Sequence, residues 1–253
     1  MDKPRRRSRA EILEAVGTLL RLHEEGRLGG ARMPKDANPG LPPSGKDNFL
    51  YFTLPMALNY QRNSYSLWIA ALATWHDLET RFAFSPNEVC GVPENQLRAA
   101  LLKHRLALQP VRHVAIWKTI CATLAGEYGG DVRVLFRRCG NDIRLILKEV
   151  QEREKKGFPY LSGQKICNYW LYVMSQYTDA DFRNRACLSV APDTHVIQAS
   201  IMLGVVDGSK APDVLRPLVA EAWKDVLKGT RLDPIDIHTP LWLWSKRGFD
   251  PDI

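Results

Sequence analysis

Apolar side chains recur at helical spacing along most of this chain. Between residues 9 and 21, aliphatic side chains at positions 12, 13, 16, 19 and 20 fall on one face of a helix, which predicts an amphipathic helix. Residues 48–84 are predicted to form two helices or one interrupted helix. The same pattern predicts further helices over residues 94–106, 111–128, 131–137, 142–155, 164–177, 194–203 and 213–228. No segment alternates apolar and polar residues between turn signals, so the sequence predicts an all-α fold with at most minor strands.

A stretch rich in proline and glycine interrupts the helical pattern near the N-terminus. Residues 29–45 are predicted to form a loop or linker, and a new unit is predicted to begin near Asp47. The chain has no internal repeat. It also lacks the glycine fingerprints of phosphate-binding and dinucleotide-binding loops, so those classes of nucleotide-binding protein are not indicated.

The composition is that of a globular protein. The 253 residues are 45% hydrophobic and 25% charged, which excludes a disordered chain and suffices for one substantial core or two small ones. The longest strongly apolar windows, residues 67–75 and 196–206, are much shorter than the roughly 20 residues that span a bilayer. No apolar run follows the charged N-terminus. We therefore expect neither a membrane protein nor a secreted one.

The charge balance and the cysteines narrow the expected partners. The chain has 35 Lys and Arg against 28 Asp and Glu, a net charge of +7, and part of the excess stands in the run Arg5-Arg6-Arg7-Ser8-Arg9. This balance is compatible with binding a polyanion. The five cysteines are widely spaced and contain no Cys-x-x-Cys pair. They indicate reduced thiols rather than disulfides or a four-thiolate metal site.

Residues 157–206 contain the most informative pattern. A charged helix is predicted to end at Gly157, and the next helix is predicted to begin directly after Ser162 and Gly163. Such a turn presents backbone N–H groups to solvent, where they can bind a phosphate without reading the base sequence. Downstream, Ala191-Pro192-Asp193-Thr194-His195-Val196 places an acid at the start of another predicted helix.

These residues resemble the helix-hairpin-helix DNA glycosylase superfamily, which contains endonuclease III. Gly163-Gln164-Lys165 matches the Gly-x-Lys at the end of that hairpin, where the lysine is the nucleophile. Pro192-Asp193-Thr194-His195-Val196 matches the segment that supplies the catalytic aspartate. Leu203-Gly204-Val205 and Tyr128-Gly129-Gly130-Asp131 are also similar to recurring segments. The likeness covers residues 110–206 approximately.

A second likeness is to the archaeal 8-oxoguanine glycosylases. Met56-Ala57-Leu58-Asn59-Tyr60-Gln61, followed by Trp68, resembles their pocket segment, Asn-Ala-Leu-x-Tyr-Gln ahead of a tryptophan. The separation of Lys165 and Asp193, 193 minus 165 or 28 positions, also agrees. Two features depart from these families. The hairpin has a single glycine in place of Leu-Pro-Gly-x-Gly, and Tyr172 stands where the archaeal proteins carry a second lysine. The base therefore stays open among 8-oxoguanine and other oxidised, alkylated or hypermodified bases.

The resemblance implies a reaction that uses a lysine and a carboxylate. A lysine amine is nucleophilic only when it is neutral, and a partly desolvated place at the positive end of a helix favours that form. Lys165 would attack C1′ of the sugar as the base leaves, forming an imine that permits β-elimination of the 3′ phosphate. Asp193 would orient or deprotonate the amine and stabilise positive charge on the sugar. Taken singly, the two residues also fit a surface lysine and a helix N-cap.

The resemblance also implies a pocket for a base that has left the duplex. In the superfamily the C-terminal segment returns to the N-terminal half and closes this pocket. The predicted divisions are a basic N-terminal helix and linker (1–45), a base-pocket subdomain (46–90 plus 207–253) and a hairpin catalytic subdomain (91–206), with an active cleft between the two subdomains. The candidate pocket residues are Gln61, Trp68, Tyr172, Asp236, Trp242 and Trp244, with core packing as the alternative for the tryptophans. The candidate DNA contacts are Ser162, Gly163, Gln164 and His195, and no second ligand at suitable spacing makes His195 a metal site.

The sequence therefore predicts a DNA glycosylase with AP lyase activity in base excision repair, and an 8-oxoguanine-like purine is the first expectation. It would act as a monomer on double-stranded DNA containing a modified base, in the cytoplasm at the nucleoid and without a cofactor. No iron-sulfur cluster is expected, because no cysteine follows Cys187. Two other classes stay open: an N-glycosidase of a hypermodified DNA base or a free modified nucleotide, and a non-catalytic DNA-binding hairpin. The net positive charge favours DNA over a free nucleotide.

Overall fold

The computed structural model describes residues 7–29, 34–60 and 62–253. Within these ranges the secondary structure is helical, and the only strand-like pairing is an isolated bridge between Asp142 and Arg183. The prediction of an all-α fold is therefore confirmed for the described part of the chain. In the same ranges no helix is long and apolar enough to cross a membrane.

Twelve α-helices follow one another along the described residues. They are α1 (Arg9–Glu24), α2 (Lys46–Thr53), α3 (Ser64–His76), α4 (Pro86–Gly91), α5 (Glu94–Lys103), α6 (Arg112–Tyr128), α7 (Val132–Arg138), α8 (Ile143–Lys148), α9 (Gln164–Tyr177), α10 (Thr194–Met202), α11 (Pro212–Leu227) and α12 (His238–Lys246). A π-helical turn, Glu149–Arg153, continues α8. Short 3-10 turns occur at Pro34–Asp36, Pro55–Leu58, Arg81–Phe84 and Arg185–Cys187.

The chain forms two compact units. The central unit comprises Arg32–Asn184, and the terminal unit combines Met1–Ala31 with Arg185–Ile253, in each case as far as its residues are described. Residues 46–90 therefore pack with residues 91–184, whereas the predicted base-pocket subdomain groups them with residues 207–253. The predicted subdomains are defined by function rather than by internal contacts, and this division stays a prediction.

The core of the central unit is rich in aromatic side chains. Tyr51 and Phe52 of α2 and Trp68 of α3 are at most 1% exposed. The Trp68 ring centre lies 5.7 Å from that of Tyr51 and 5.6 Å from that of Phe52. Trp117 of α6 is also buried and donates from Nε1 to the backbone oxygen of Ala83 at 2.7 Å. Burying a side chain of this size contributes roughly 1.5 to 3 kcal/mol, so these contacts hold α2, α3 and α6 together.

The chain between α8 and α9 makes a compact turn. Phe158 and Leu161 are fully buried and anchor it. Gly157 approaches α6 so closely that a Cβ atom there would lie 2.6 Å from Thr123 Oγ1, which only glycine avoids. Tyr160 has a φ of +62°, in the left-handed region that costs a residue with a side chain roughly 1 to 2 kcal/mol. The turn therefore holds a strained tyrosine at its surface.

The terminal unit is closed by contacts from its N-terminal helix. Arg9 at the start of α1 donates from Nε and Nη2 to the backbone oxygens of Val226 and Lys228, at 3.0 and 2.5 Å. Arg7 donates to the backbone oxygen of Ile253 at 2.7 Å. Two arginines of the basic run thus stabilise the fold, while Arg5 and Arg6 lie outside the described residues.

The helix α12 is not among the predicted helices. Its sequence, His238-Thr239-Pro240-Leu241-Trp242-Leu243-Trp244-Ser245-Lys246, contains a proline and a nearly continuous apolar run rather than a helical stripe. Pro240 is the third residue of the helix, where its missing N–H removes no intrahelical hydrogen bond. The proline is therefore compatible with the helix, which packs on α10 and α1.

Candidate active site

Lys165 is the second residue of α9. Its side chain is exposed, and no hydrogen bond or ion pair holds its amine within the described residues. Gly163, the N-cap residue, provides no side-chain cap, so the first backbone N–H groups of α9 are open to an external acceptor. The structure thus places Lys165 at the start of a helix, as the sequence predicts, but leaves its amine exposed rather than partly desolvated.

An open concavity of about 550 Å³ lies beside the start of α9. Gly163 and Gln164 line it, as does Ser162, whose side chain is nearly buried and whose hydroxyl lies 3.5 Å from the backbone oxygen of Lys155. Lys155 and Glu152 contribute one charge of each sign to its rim. All three hairpin residues predicted to contact DNA therefore line the same concavity.

A cluster of planar groups adjoins the same turn. The ring centres of Tyr160 and Tyr60 lie 5.2 Å apart, and the Arg112 guanidinium lies 4.9 Å from the centre of the Tyr160 ring. Tyr60 is 46% exposed. Exposed planar side chains beside a cation are suited to stacking on nucleic acid bases. Tyr60 belongs to the segment that resembles the archaeal pocket motif, but no motif links it to Tyr160 and Arg112, because the three residues come from separate segments.

Lys165 shares one face of α9 with Tyr169 and Tyr172, which follow it by four and seven positions. Tyr172, a predicted pocket residue, is 7% exposed. Lys35 of the 3-10 turn Pro34–Asp36 lies over both rings. Its Nζ is 5.4 Å from the ring centre of Tyr169 and 4.6 Å from that of Tyr172.

The Lys35 ammonium is almost completely buried. Only 3% of the residue is exposed, and a third ring, that of Tyr177, has its centre 5.7 Å from Nζ. Burial lowers the pKa of Lys35 to about 8, against the opposing effect of the neighbouring Asp36 carboxylate. Asp36 in turn accepts a short hydrogen bond from the Tyr177 hydroxyl. No sequence motif indicates a role for Lys35, because it is an isolated lysine in a proline-rich stretch.

Trp68 lies in the aromatic core of the central unit. It is fully buried, and its Nε1–H has no hydrogen-bond acceptor among the described residues. A buried donor without an acceptor costs about 1 to 3 kcal/mol, so this N–H is a place where a ligand would improve the energetics. Gln61, the other predicted pocket residue of this segment, lies outside the described residues.

Asp193 is the N-cap residue of α10 in the terminal unit. Its Oδ1 accepts a hydrogen bond from the backbone N–H of Val196 at 3.0 Å, and the side chain is half-buried. The cap holds the carboxylate in one orientation. His195 is also half-buried, with its Nδ1 3.2 Å from Ser245 Oγ and its ring centre 5.4 Å from that of Trp242. His195 therefore packs against α12 within this unit.

Asp236 is held by a local ion pair. Its Oδ1 accepts from Arg185 Nη2 at 2.7 Å, and its Oδ2 accepts from the backbone N–H of Asp233 at 2.9 Å. Arg185 Nε also lies 3.3 Å from Asp233 Oδ2. Both carboxylate oxygens of Asp236 thus have partners inside the terminal unit, so recognition of a base would need a remaining lone pair on one of them.

The two C-terminal tryptophans have different surroundings. Trp244 is fully buried, donates to the backbone oxygen of Pro251 at 2.8 Å and packs edge-on against Phe249. Trp242 is half-buried, with the Lys246 ammonium 4.7 Å from its ring centre. Core packing therefore accounts for Trp244, and Trp242 is the more exposed of the two.

The candidate residues are divided between the two units. Lys165, Tyr172 and Trp68 belong to the central unit with the hairpin turn, and Asp193 and His195 belong to the terminal unit with Asp236, Trp242 and Trp244. Within the described residues, no group of three or more His, Cys, Asp or Glu side chains is arranged to hold a metal ion. No protein-family model matches the chain, and no curated protein matches it significantly.

Proposed function

We propose that this protein is a DNA glycosylase with AP lyase activity, which removes a modified base from duplex DNA through an imine at Lys165. The observation that carries the proposal is the start of α9. There an exposed amine with no partner in the described chain follows an uncapped helix start by one residue, and the residues just before it line an open concavity. An amine that is to attack a sugar in DNA must be reachable and close to a phosphate-binding element.

The hairpin supplies the phosphate-binding element. Backbone N–H groups at a helix start carry partial positive charge and bind phosphate without reading sequence. The exposed amines of Lys155 and Lys156 stand in the preceding turn. Tyr60 and Tyr160, which pack against each other beside Arg112, provide planar surfaces that suit bases at the opened site. Together these features favour double-stranded DNA as the partner.

The proposed reaction uses the two predicted groups in distinct roles. The neutral Lys165 amine forms a bond to C1′ of the sugar, and the C1′–N bond to the base breaks with its electron pair leaving on the base. The C1′–O4′ bond then opens with its electron pair going to the ring oxygen, and the nitrogen lone pair forms the C1′=N imine. Loss of a C2′ proton from this imine expels the 3′ phosphate with its electron pair by β-elimination. Asp193 stabilises the positive charge that develops on the sugar. Its part rests on the sequence resemblance and on a capped carboxylate of fixed orientation.

Borohydride trapping tests this function. Wild-type protein is incubated with duplexes that each contain one modified base, beginning with 8-oxoguanine, and with a duplex containing an abasic site. We expect a covalent adduct that is lost in Lys165→Gln and retained in Lys118→Gln, because Lys118 is an exposed lysine paired with Glu94 at 3.6 Å. Undiminished trapping in Lys165→Gln would contradict the assignment.

A non-catalytic hairpin is the second candidate function. The exposure of the Lys165 amine favours it, since a solvated lysine at a helix start also suits a simple phosphate contact. In that case Lys165→Gln would lower DNA affinity a few-fold, and neither the wild type nor the variant would be trapped or release a base. The same experiment therefore separates the two functions.

A further inference from the structure

The central unit carries a second amine on the face of α9 that bears Lys165. Lys35 Nζ lies over Tyr169 and Tyr172, which follow Lys165 by four and seven positions on that face. A helix rises about 1.5 Å per residue. Tyr169, the nearer of the two tyrosines, therefore lies about 6 Å along the helix axis from Lys165. This distance is comparable to that between the sugar and the far edge of a nucleotide's base.

The ammonium of Lys35 is buried without an acceptor. Tyrosine faces surround it, and no hydrogen bond or ion pair of Nζ occurs within the described part of the chain. Ring faces attract a cation, but they do not replace the hydrogen bonds that its three N–H groups make in water. The site therefore has unused donor capacity.

A second unused donor belongs to the same aromatic cluster. Trp68 Nε1–H has no acceptor in the part of the chain that the structure describes. Its ring packs on Phe52, whose ring centre is 5.0 Å from that of Tyr177, and Tyr177 is one of the three rings around Lys35. Buried polar groups in native proteins are nearly always hydrogen-bonded. Two unsatisfied donors in one cluster indicate a ligand that brings acceptors.

We propose that Lys35 and Trp68 donate hydrogen bonds to a base that has left the duplex, so that Lys35 is a specificity-determining residue. The inference rests on the proposed function and deepens it. Both groups are donors only, because an ammonium and an indole N–H have no acceptor capacity. The pocket therefore selects a base whose exposed edge carries acceptors, carbonyl oxygens or unprotonated ring nitrogens, between aromatic faces.

Binding measurements test the inference without any catalytic step. In the Lys165→Gln background, affinities are measured for duplexes that contain one 8-oxoguanine, 5-hydroxymethyluracil or hypoxanthine, for an undamaged duplex and for a duplex with an abasic site. We expect Lys35→Met to lower the affinity for the preferred modified duplex at least tenfold. Its affinity for the abasic duplex, which offers no base, should change less than twofold. Lys118→Met is the matched control.

Trp68→Phe provides a second variant. It removes the N–H together with the five-membered ring of a buried indole, so the melting temperature should fall modestly, and the preference for the modified base should fall while the affinity for the abasic duplex holds. Equal affinity losses for base-containing and abasic duplexes, or no loss for either, would overturn the proposal. So would a wild-type protein that prefers no modified duplex over the undamaged one. A preference that depends on Lys35 without any borohydride trapping would instead refute the lyase function alone.

Discussion

Replacing Lys35 by methionine measures the cost of burying its ammonium. Methionine is similar in length and volume and carries no charge, so the contacts with Tyr169 and Tyr172 are kept. The pKa of Lys35 is lowered from 10.5 to about 8 because burial disfavours the charged form. A lowering of about 2.5 units corresponds to roughly 3 kcal/mol, at 1.36 kcal/mol per unit.

The attraction between the ammonium and the tyrosine faces acts in the opposite direction. Three ring centres lie 4.6 to 5.7 Å from Nζ, and such contacts together contribute on the order of 1 to 2 kcal/mol. The burial cost is the larger of the two effects. We therefore expect Lys35→Met to raise the free energy of unfolding at pH 7 by about 1 to 3 kcal/mol.

The stability difference should shrink as the pH rises from about 8 to 10.5. In that range the native protein has released the Lys35 proton, whereas the unfolded chain still binds it. The unfolded state then binds more protons than the native state, so the wild type gains stability with rising pH. The tyrosines and Asp36 are common to both proteins, and their own ionisation largely cancels in the comparison.

Urea unfolding of the full chain at pH 7, 8, 9 and 10, followed by tryptophan fluorescence, measures this difference. In the matched control Lys118→Met the lysine is exposed, so its effect should stay within about 0.5 kcal/mol at every pH. A methionine variant at position 35 that is less stable than the wild type at pH 7 would refute the reasoning. A stability difference that is constant from pH 7 to pH 10 would refute it as well.

Three further predictions concern the other candidate residues. Asp193→Asn keeps an N-cap, so the unfolding free energy should change by less than about 0.5 kcal/mol, while single-turnover base release should fall on the order of a hundredfold or more. Trp244→Ala should cost about 3 to 5 kcal/mol in a denaturation assay, whereas Trp242→Ala should remain folded and release base more slowly. Neutralising Lys155 and Lys156 to glutamine should reduce the slope of log affinity against log salt by about 1.8, measured by anisotropy on undamaged duplex.

For Asp193, Trp242 and the two lysines, one outcome each would contradict the proposed role. If Asp193→Asn loses stability and activity in parallel, or neither, its carboxylate serves only as a cap. Normal base release by a folded Trp242→Ala variant would remove that ring from the pocket. An unchanged salt slope in the double lysine variant would place the phosphate contacts elsewhere on the protein.

Local features of this protein followed from its sequence because their causes are local. Apolar spacing predicts the helix that contains Lys165 and the helix that follows Asp193, and an aspartate ahead of a helix predicts an N-cap. The cap on Val196 is confirmed. The break in helical pattern between residues 29 and 45 also predicts the absence of an α-helix there, and the described part of that range contains only a 3-10 turn. Each of these features depends on residues within a few positions of one another.

The tertiary structure alone decided which side chains are buried and what surrounds them. Trp242 and Trp244 stand two residues apart in similar sequence, yet one is half-buried and the other lies in the core, because the helical turn points them in different directions. Lys35 and Tyr172 are 172 minus 35, or 137, positions apart, and no local pattern links them. Their contact arises from packing the turn at Pro34–Asp36 against α9, and burial and pKa are properties of that packing rather than of the residues themselves.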